Sequence, residues 1–272
     1  MSLRRKAKHL AYIYGVLPNK RLGQNFLVDS HFLEHMCSYA TLQPSDTVLE
    51  VGAGLGFLTG MLTQKSKSVI AVEVDARLVQ VLKNELADVD NLELLAGDIF
   101  KAALPPFNKV VSNPPFSISS PLIFWLLGKS FERAVLTLQN EFAQRLDAPV
   151  DSEGYGRLAV FTYYHAAVEL LEAVPKEAFY PSPEVDAAIV GLRPKDPHPF
   201  KVEDEGIFND VVRTLFTQRN RKVRKALLPL LRKRGASGAE AQKSADLLPY
   251  HSKRVRELAP EDFGALANAL LA

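Results

Sequence analysis

The chain has 272 residues, 33 Lys and Arg against 31 Asp and Glu for a net charge of +2, a hydrophobic share of 47% and one cysteine, Cys37. That length supports one large core with a smaller one beside it. A single thiol excludes an internal disulfide and suits a reducing, cytoplasmic setting, and no apolar run reaches the ~18 residues of a membrane-spanning helix.

The first nineteen residues carry no acid and no small-residue cleavage site, which argues against a secretory signal; a basic RNA-binding arm and a targeting segment both fit. Cys37 lies in the apolar stretch 32–39 and reads as a small buried hydrophobe. Residues 47–51 (Thr-Val-Leu-Glu-Val) read as a buried strand, followed by the turn Gly52-Ala53-Gly54-Leu55-Gly56 and a short helix over 57–64. Further strands are expected at 69–73, 92–98 and 109–112, ending in Glu73, Asp98 and Asn113, then at 133–138, 157–165, 168–174 and 185–192. A short helix face occupies 121–127. Three prolines in 194–199 mark a linker, and helices are expected over 207–217, 222–234, 239–247 and 261–271. The fold class is α/β: a doubly wound, Rossmann-like sheet with a small C-terminal helical domain. The expected divisions are a basic arm and lid at 1–28, a catalytic domain at 29–194 and a helical domain at 195–272.

Four successive strands thus end in Gly52, Glu73, Asp98 and Asn113, at the sheet edge where open α/β sheets bind ligands. A glycine-rich strand-to-helix turn lets backbone approach a ligand and aims helix N–H groups at it. The spacing here is G-x-G-x-G; the dinucleotide pattern has its third glycine one position later, where this chain has Phe57. An acid at the second strand end suits ribose hydroxyls. Asp98 can accept from an adenine amine. Asn113-Pro114-Pro115-Phe116 is the most specific stretch. Its prolines fix two φ angles, remove two N–H donors and keep the preceding residues out of the α region. That delivers the Asn113 amide, the Pro114 carbonyl and the Phe116 ring together. The two oxygens can accept both N–H bonds of an exocyclic amine, and the ring can stack on its heterocycle.

Net charge hides an asymmetry. Residues 1–21 hold six Lys and Arg and no acid, and residues 213–234 hold nine and no acid, while the other 229 residues hold 18 against 31 acids. Two acid-free basic runs suit a polyanion. The six histidines show no metal-ligand spacing, His165 and His251 read as structural, and no metal is expected. Ser117, Ser119 and Ser120 have no His or Asp arranged to activate them and read as helix caps.

The order G-x-G, acid, G-D, N-P-P-F resembles the S-adenosylmethionine-dependent adenine-N6 methyltransferases. Three further segments, Lys20-Arg21-Leu22-Gly23-Gln24-Asn25-Phe26-Leu27, the loop 174–186 around Phe179-Tyr180-Pro181-Ser182-Pro183, and Phe216-Thr217-Gln218-Arg219-Asn220-Arg221-Lys222-Val223-Arg224-Lys225, are similar to segments of the small-subunit ribosomal RNA adenine-N6,N6 dimethyltransferases. The resemblance covers most of the chain from about Arg21. It implies S-adenosylmethionine as cofactor, held by Asn25, Leu27, Gly52, Gly54, Glu73, Asp98 and Asn113. It implies Phe116 stacked on the target adenine with Phe179 closing its other face; Tyr180 competes for that second role. Lys20, Arg21, Arg219, Arg221, Lys222, Arg224 and Lys225 would bind RNA. The implied partner is the immature small subunit, met by a monomer, and the implied product is two adjacent dimethylated adenosines near the 3′ end. Many members have Asn-Leu-Pro-Tyr where this chain has Asn-Pro-Pro-Phe, a tetrapeptide also found in DNA adenine methyltransferases, so the ring is kept and its hydroxyl lost. Methylation of DNA or large-subunit RNA, and a binding factor with little chemistry, are the competing readings.

Overall fold

A computed structural model describes residues 1–16 and 23–271. The described residues form two compact units, 1–143 with 168–194, and 144–167 with 195–272. The catalytic segment expected at 29–194 is therefore interrupted: residues 144–167 belong with the C-terminal helices.

The first unit is built on a seven-stranded sheet. Its strands are β2 (Thr47–Val51), β3 (Ser68–Glu73), β4 (Leu92–Ala96), β5 (Lys109–Ser112), β6 (Arg133–Gln139), β7 (Ala166–Val174) and β9 (Ala187–Pro194), in the order β4-β3-β2-β5-β6-β9-β7. Strands β2 to β6 pair in parallel and β9 runs antiparallel to β6. The central strands are continuous apolar runs because both faces are covered: β5 is buried along its whole length, whereas β4 at the edge is only half-buried. Helices α2 (Ser30–Tyr39), α3 (Phe57–Thr63), α4 (Ala76–Glu85) and α5 (Ser119–Leu127) lie between the strands in sequence. Asp29 and Asp75 cap α2 and α4 by accepting from the N–H groups of His31 and Arg77. The chain order reverses between β2 and β5, which opens a crevice at their carboxyl ends.

Within the acid-free N-terminal segment, Leu3–Ile13 form a packed helix, α1. Ala7 and Leu10 are buried with Phe26, Leu55, Leu78 and Val81, and Lys6 pairs with Glu85 at 3.2 Å. A separate two-stranded ladder joins β1 (Phe26–Leu27) to β8 (Phe179–Tyr180) antiparallel. Lys20 and Arg21 lie outside the described residues.

The second unit is helical: α6 (Asn140–Arg145) leads into it, and it contains α7 (Arg157–His165), α8 (Glu205–Phe216), α9 (Val223–Ala226), α10 (Leu228–Lys233), α11 (Gly238–Leu247) and α12 (Pro260–Ala269). The strand expected at 157–165 is α7. Six of its nine residues are buried, so it has no polar face to show a helical period, and its Val, Thr, Phe and Tyr content imitates a strand. Phe161 and Tyr164 pack on Phe208 of α8 with ring centroids 5.6 and 5.1 Å apart. The single helix expected over 222–234 is two, because Pro229 sits at the start of α10 without an N–H for the preceding turn.

Candidate active site

The crevice at the switch in strand order is a cleft of about 290 Å³, at the small end of the ~300–1,000 Å³ common for ligand sites. Asn25, Leu27, Gly52, Gly54, Glu73, Asp98 and Asn113 all line it. The glycine turn is built for close approach. Gly52 has φ +77°, and a Cβ there would lie 2.7 Å from Pro115 Cδ; Gly54 has φ +59° and a Cβ would meet the Phe26 ring at 3.0 Å.

Glu73 is buried, and its two oxygens accept from the N–H groups of Gly54 and Asp75, each at 2.9 Å. Burial nevertheless pushes its carboxyl upward, those N–H groups opposing the shift. Each oxygen keeps a second lone pair for a ligand hydroxyl. Asp98 is more open and accepts from the Phe100 N–H at 3.0 Å.

Asn113 is the pivot of the site. Its amide nitrogen donates to the Asn25 carbonyl at 3.1 Å, which fixes the side chain. Its amide oxygen is buried and has no hydrogen-bond partner among the described residues. A buried unpartnered acceptor costs free energy, on the order of 1–3 kcal/mol, and a ligand N–H would recover it. The N-terminal segment reaches this turn directly: a Cβ at Gly23 would lie 2.9 Å from the Ser117 nitrogen. These features fit a sulfonium nucleoside with an amine-bearing base beside it.

Phe116 is half-buried and opens the short helical turn Phe116–Ile118. Phe179 does not face an open slot. It is 0% exposed and meets Phe116 edge to face, with centroids 5.9 Å apart and planes at 68°. In this arrangement the Phe179 ring backs Phe116 from within the core.

Three contributors lack a sequence signal of their own. Arg4 of α1 donates to the carbonyls of Glu177 and Phe179, and so clamps the loop that carries Phe179. Gln24 donates to Asp75 at 3.1 Å; hydrogen bonds from Arg77, with that from Gln24, hold the Asp75 carboxyl down at about 2. Glu50 lies in β2, 1% exposed, with Oε2 unpartnered, and burial together with the Glu73 charge pushes its carboxyl up to about 8.

In the second unit, Asn220, Arg221, Lys222, Arg224, Lys225 and Arg254 line an open concavity. The bridge between Lys222 and Arg254 brings the last of these in from a distant part of the sequence. Arg224 is partly engaged by Asp246 at 3.4 Å. Arg219 is turned away from this role: its guanidinium donates to the Ser152 and Glu153 carbonyls, both at 2.8 Å.

Comparison with known proteins agrees with this geometry. The family model described as ribosomal RNA adenine dimethylase matches residues 16–259. The chain is similar to a probable ribosomal RNA small subunit methyltransferase A of Methanosarcina acetivorans, 43% identical over 91% of each chain. It is also similar to one of Methanopyrus kandleri, 41% identical over 98% of each. Among solved structures, a dimethyladenosine transferase from Plasmodium falciparum superposes with a TM-score of 0.75 at 29% identity, covering 88% of this chain and 94% of that one. The 23S rRNA methyltransferase ErmE gives 0.66 at 28% identity, covering 91% and 100%. A sheet-edge cleft lined by the glycine turn, two acids and the Asn-Pro-Pro-Phe turn, with a family match spanning both units, leads to one conclusion: this chain belongs to the ribosomal RNA adenine dimethylases, enzymes that methylate adenine in ribosomal RNA from S-adenosylmethionine.

Proposed function

We propose that this enzyme dimethylates N6 of two adjacent adenosines near the 3′ end of small-subunit ribosomal RNA, acting as a cytoplasmic monomer on the immature subunit. The observation that carries the chemistry is the Asn113 amide, clamped through its nitrogen and unpartnered at its oxygen. The curated relatives named for the small subunit, at 41% identity and above, favour that target over the large-subunit one.

When bound, the cofactor supplies an electrophilic methyl group on sulfonium. Gly52 and Gly54 would admit it closely, Glu73 would take its ribose hydroxyls, Asp98 its adenine amine, and Asn25 and Leu27 would cover it. The target adenine stacks on Phe116, extruded from its strand. Its amine is a weak nucleophile because the lone pair is delocalised into the ring. Asn113 Oδ1 and the Pro114 carbonyl accept its two N–H bonds, favour a pyramidal nitrogen and stabilise the positive charge that grows there. Those two bonds leave the amine lone pair free to act as the nucleophile toward the methyl group the cofactor would supply, and water would take the proton that the methylated amine sheds. Arg221, Lys222, Arg224 and Lys225 hold phosphates of the RNA.

Labelled cofactor offered with unmethylated small subunits, large-subunit RNA or duplex DNA tests the assignment. Label is expected in the small-subunit RNA alone, as dimethyladenosine. Label only in DNA or large-subunit RNA would overturn it, and tight subunit binding without label would favour an assembly factor.

A further inference from the structure

Outside the methyl-transfer cleft, α2 and the edge strand β7 bring together three side chains that ligate metals. His31 Nε2 lies 3.4 Å from Glu172 Oε1, and His35 Nδ1 lies 2.8 Å from Glu172 Oε2. The two imidazoles are one helical turn apart, with centroids separated by 3.9 Å. One ligand atom from each of the three residues falls within 4.8 Å of the others. Glu172 is also oriented from behind, since the Tyr39 hydroxyl donates to Oε2 at 3.3 Å. Supporting hydrogen bonds of this kind are what position metal-binding carboxylates.

We propose that His31, His35 and Glu172 form a binding site for a divalent late transition-metal cation, zinc foremost. Two imidazole nitrogens and one carboxylate oxygen are the donor set of three-ligand zinc sites, with water in the fourth position. Imidazole selects against magnesium and calcium, which take oxygen ligands. His31, with 58% of its side chain exposed, gives the ion a path in. Along the chain only the His31 and His35 pair, four residues apart on α2, hints at ligands, because the third donor lies 137 residues from His35. The consequence is mechanical. α2 follows β1 and β7 precedes β8, and these two short strands pair with each other. A bound ion would fasten the bases of both arms of that ladder.

The test uses the untagged full-length chain, stripped with chelator and titrated with zinc chloride by calorimetry, with magnesium chloride as the comparison. One equivalent of zinc should bind and raise the melting temperature, and magnesium should do neither. His31→Ala and His35→Ala should each weaken zinc binding about tenfold or more, Glu172→Gln should weaken it, and the double histidine variant should abolish both binding and the thermal shift. His198→Ala, which removes a histidine of the second unit, should change nothing. Absence of saturable zinc binding by the natural chain, binding retained in the double variant, or binding lost in His198→Ala would each overturn the proposal. His31 is exposed, so His31→Ala is decisive even if His35→Ala folds poorly.

Discussion

Asn113→Ala separates the two jobs of one amide. The oxygen is the unpartnered acceptor, and the nitrogen holds the Asn25 carbonyl at 3.1 Å. Losing an acceptor aimed at developing charge lowers kcat by about 10²–10³-fold, equivalent to ~2.7–4 kcal/mol of transition-state stabilisation. Losing the bond to Asn25 removes a net ~0.5–1.5 kcal/mol, so cofactor affinity should fall by about 2–13-fold. RNA affinity should stay unchanged, because the cations that line the basic concavity do not include Asn113. Asn113→Asp keeps acceptor oxygens but loses the donor, and should recover part of kcat while keeping the cofactor defect. Single-turnover methylation, cofactor calorimetry and filter binding of RNA read the three quantities separately. Turnover within about threefold of the natural enzyme would refute the role given to the amide oxygen.

Arg4→Ala removes the donor shared by the Glu177 and Phe179 carbonyls; turnover should fall several-fold with RNA affinity intact, and an unchanged rate would make α1 a bystander. Replacing Arg221, Lys222 and Lys225 by Ala should flatten the dependence of log affinity on log salt by ~0.7–0.9 for each phosphate that is no longer neutralised. Arg219→Ala should leave that slope alone and lower the urea midpoint instead, because its partners are the Ser152 and Glu153 carbonyls. Glu50 rises from an ordinary 4.5 to about 8 in the fold, so the native state holds an extra proton between those values. Its contribution is complete below about pH 4.5 and lost as pH rises through about 8, a fall in stability of up to ~1.4 kcal/mol per pH unit. Urea titrations across this window should show the decline in the natural chain and a flatter profile in Glu50→Gln; parallel profiles would remove Glu50 as its source.

The cleft was legible because its residues sit at strand ends, and strands covered on both faces are plain apolar runs. Gly52, Glu73, Asp98 and Asn113 could be placed by counting strands alone. α7 was not legible, since a helix buried nearly all round carries no period to distinguish it from a strand. Its strand-like composition also hid the membership of 144–167 in the helical unit. Charge runs do not show which cations are already engaged. Arg4 and Arg219 spend their guanidinium groups on backbone carbonyls, whereas Arg254, outside the basic run, joins the concavity through a backbone bridge. Only its sequence neighbours give Phe179 a role, and neighbours do not report that a ring is fully buried.

The ladder between Phe26–Leu27 and Phe179–Tyr180 also bears on synthesis. Chains emerge from the ribosome amino end first. The glycine turn, Glu73, Asp98 and the Asn-Pro-Pro-Phe turn are all made before Phe179, yet the strand beside Asn25 has no partner until residue 180 is out. A nascent chain halted at β6 would carry the polar residues that line the cleft while Phe26–Leu27 still lacked its partner strand, so that ladder is completed late in translation.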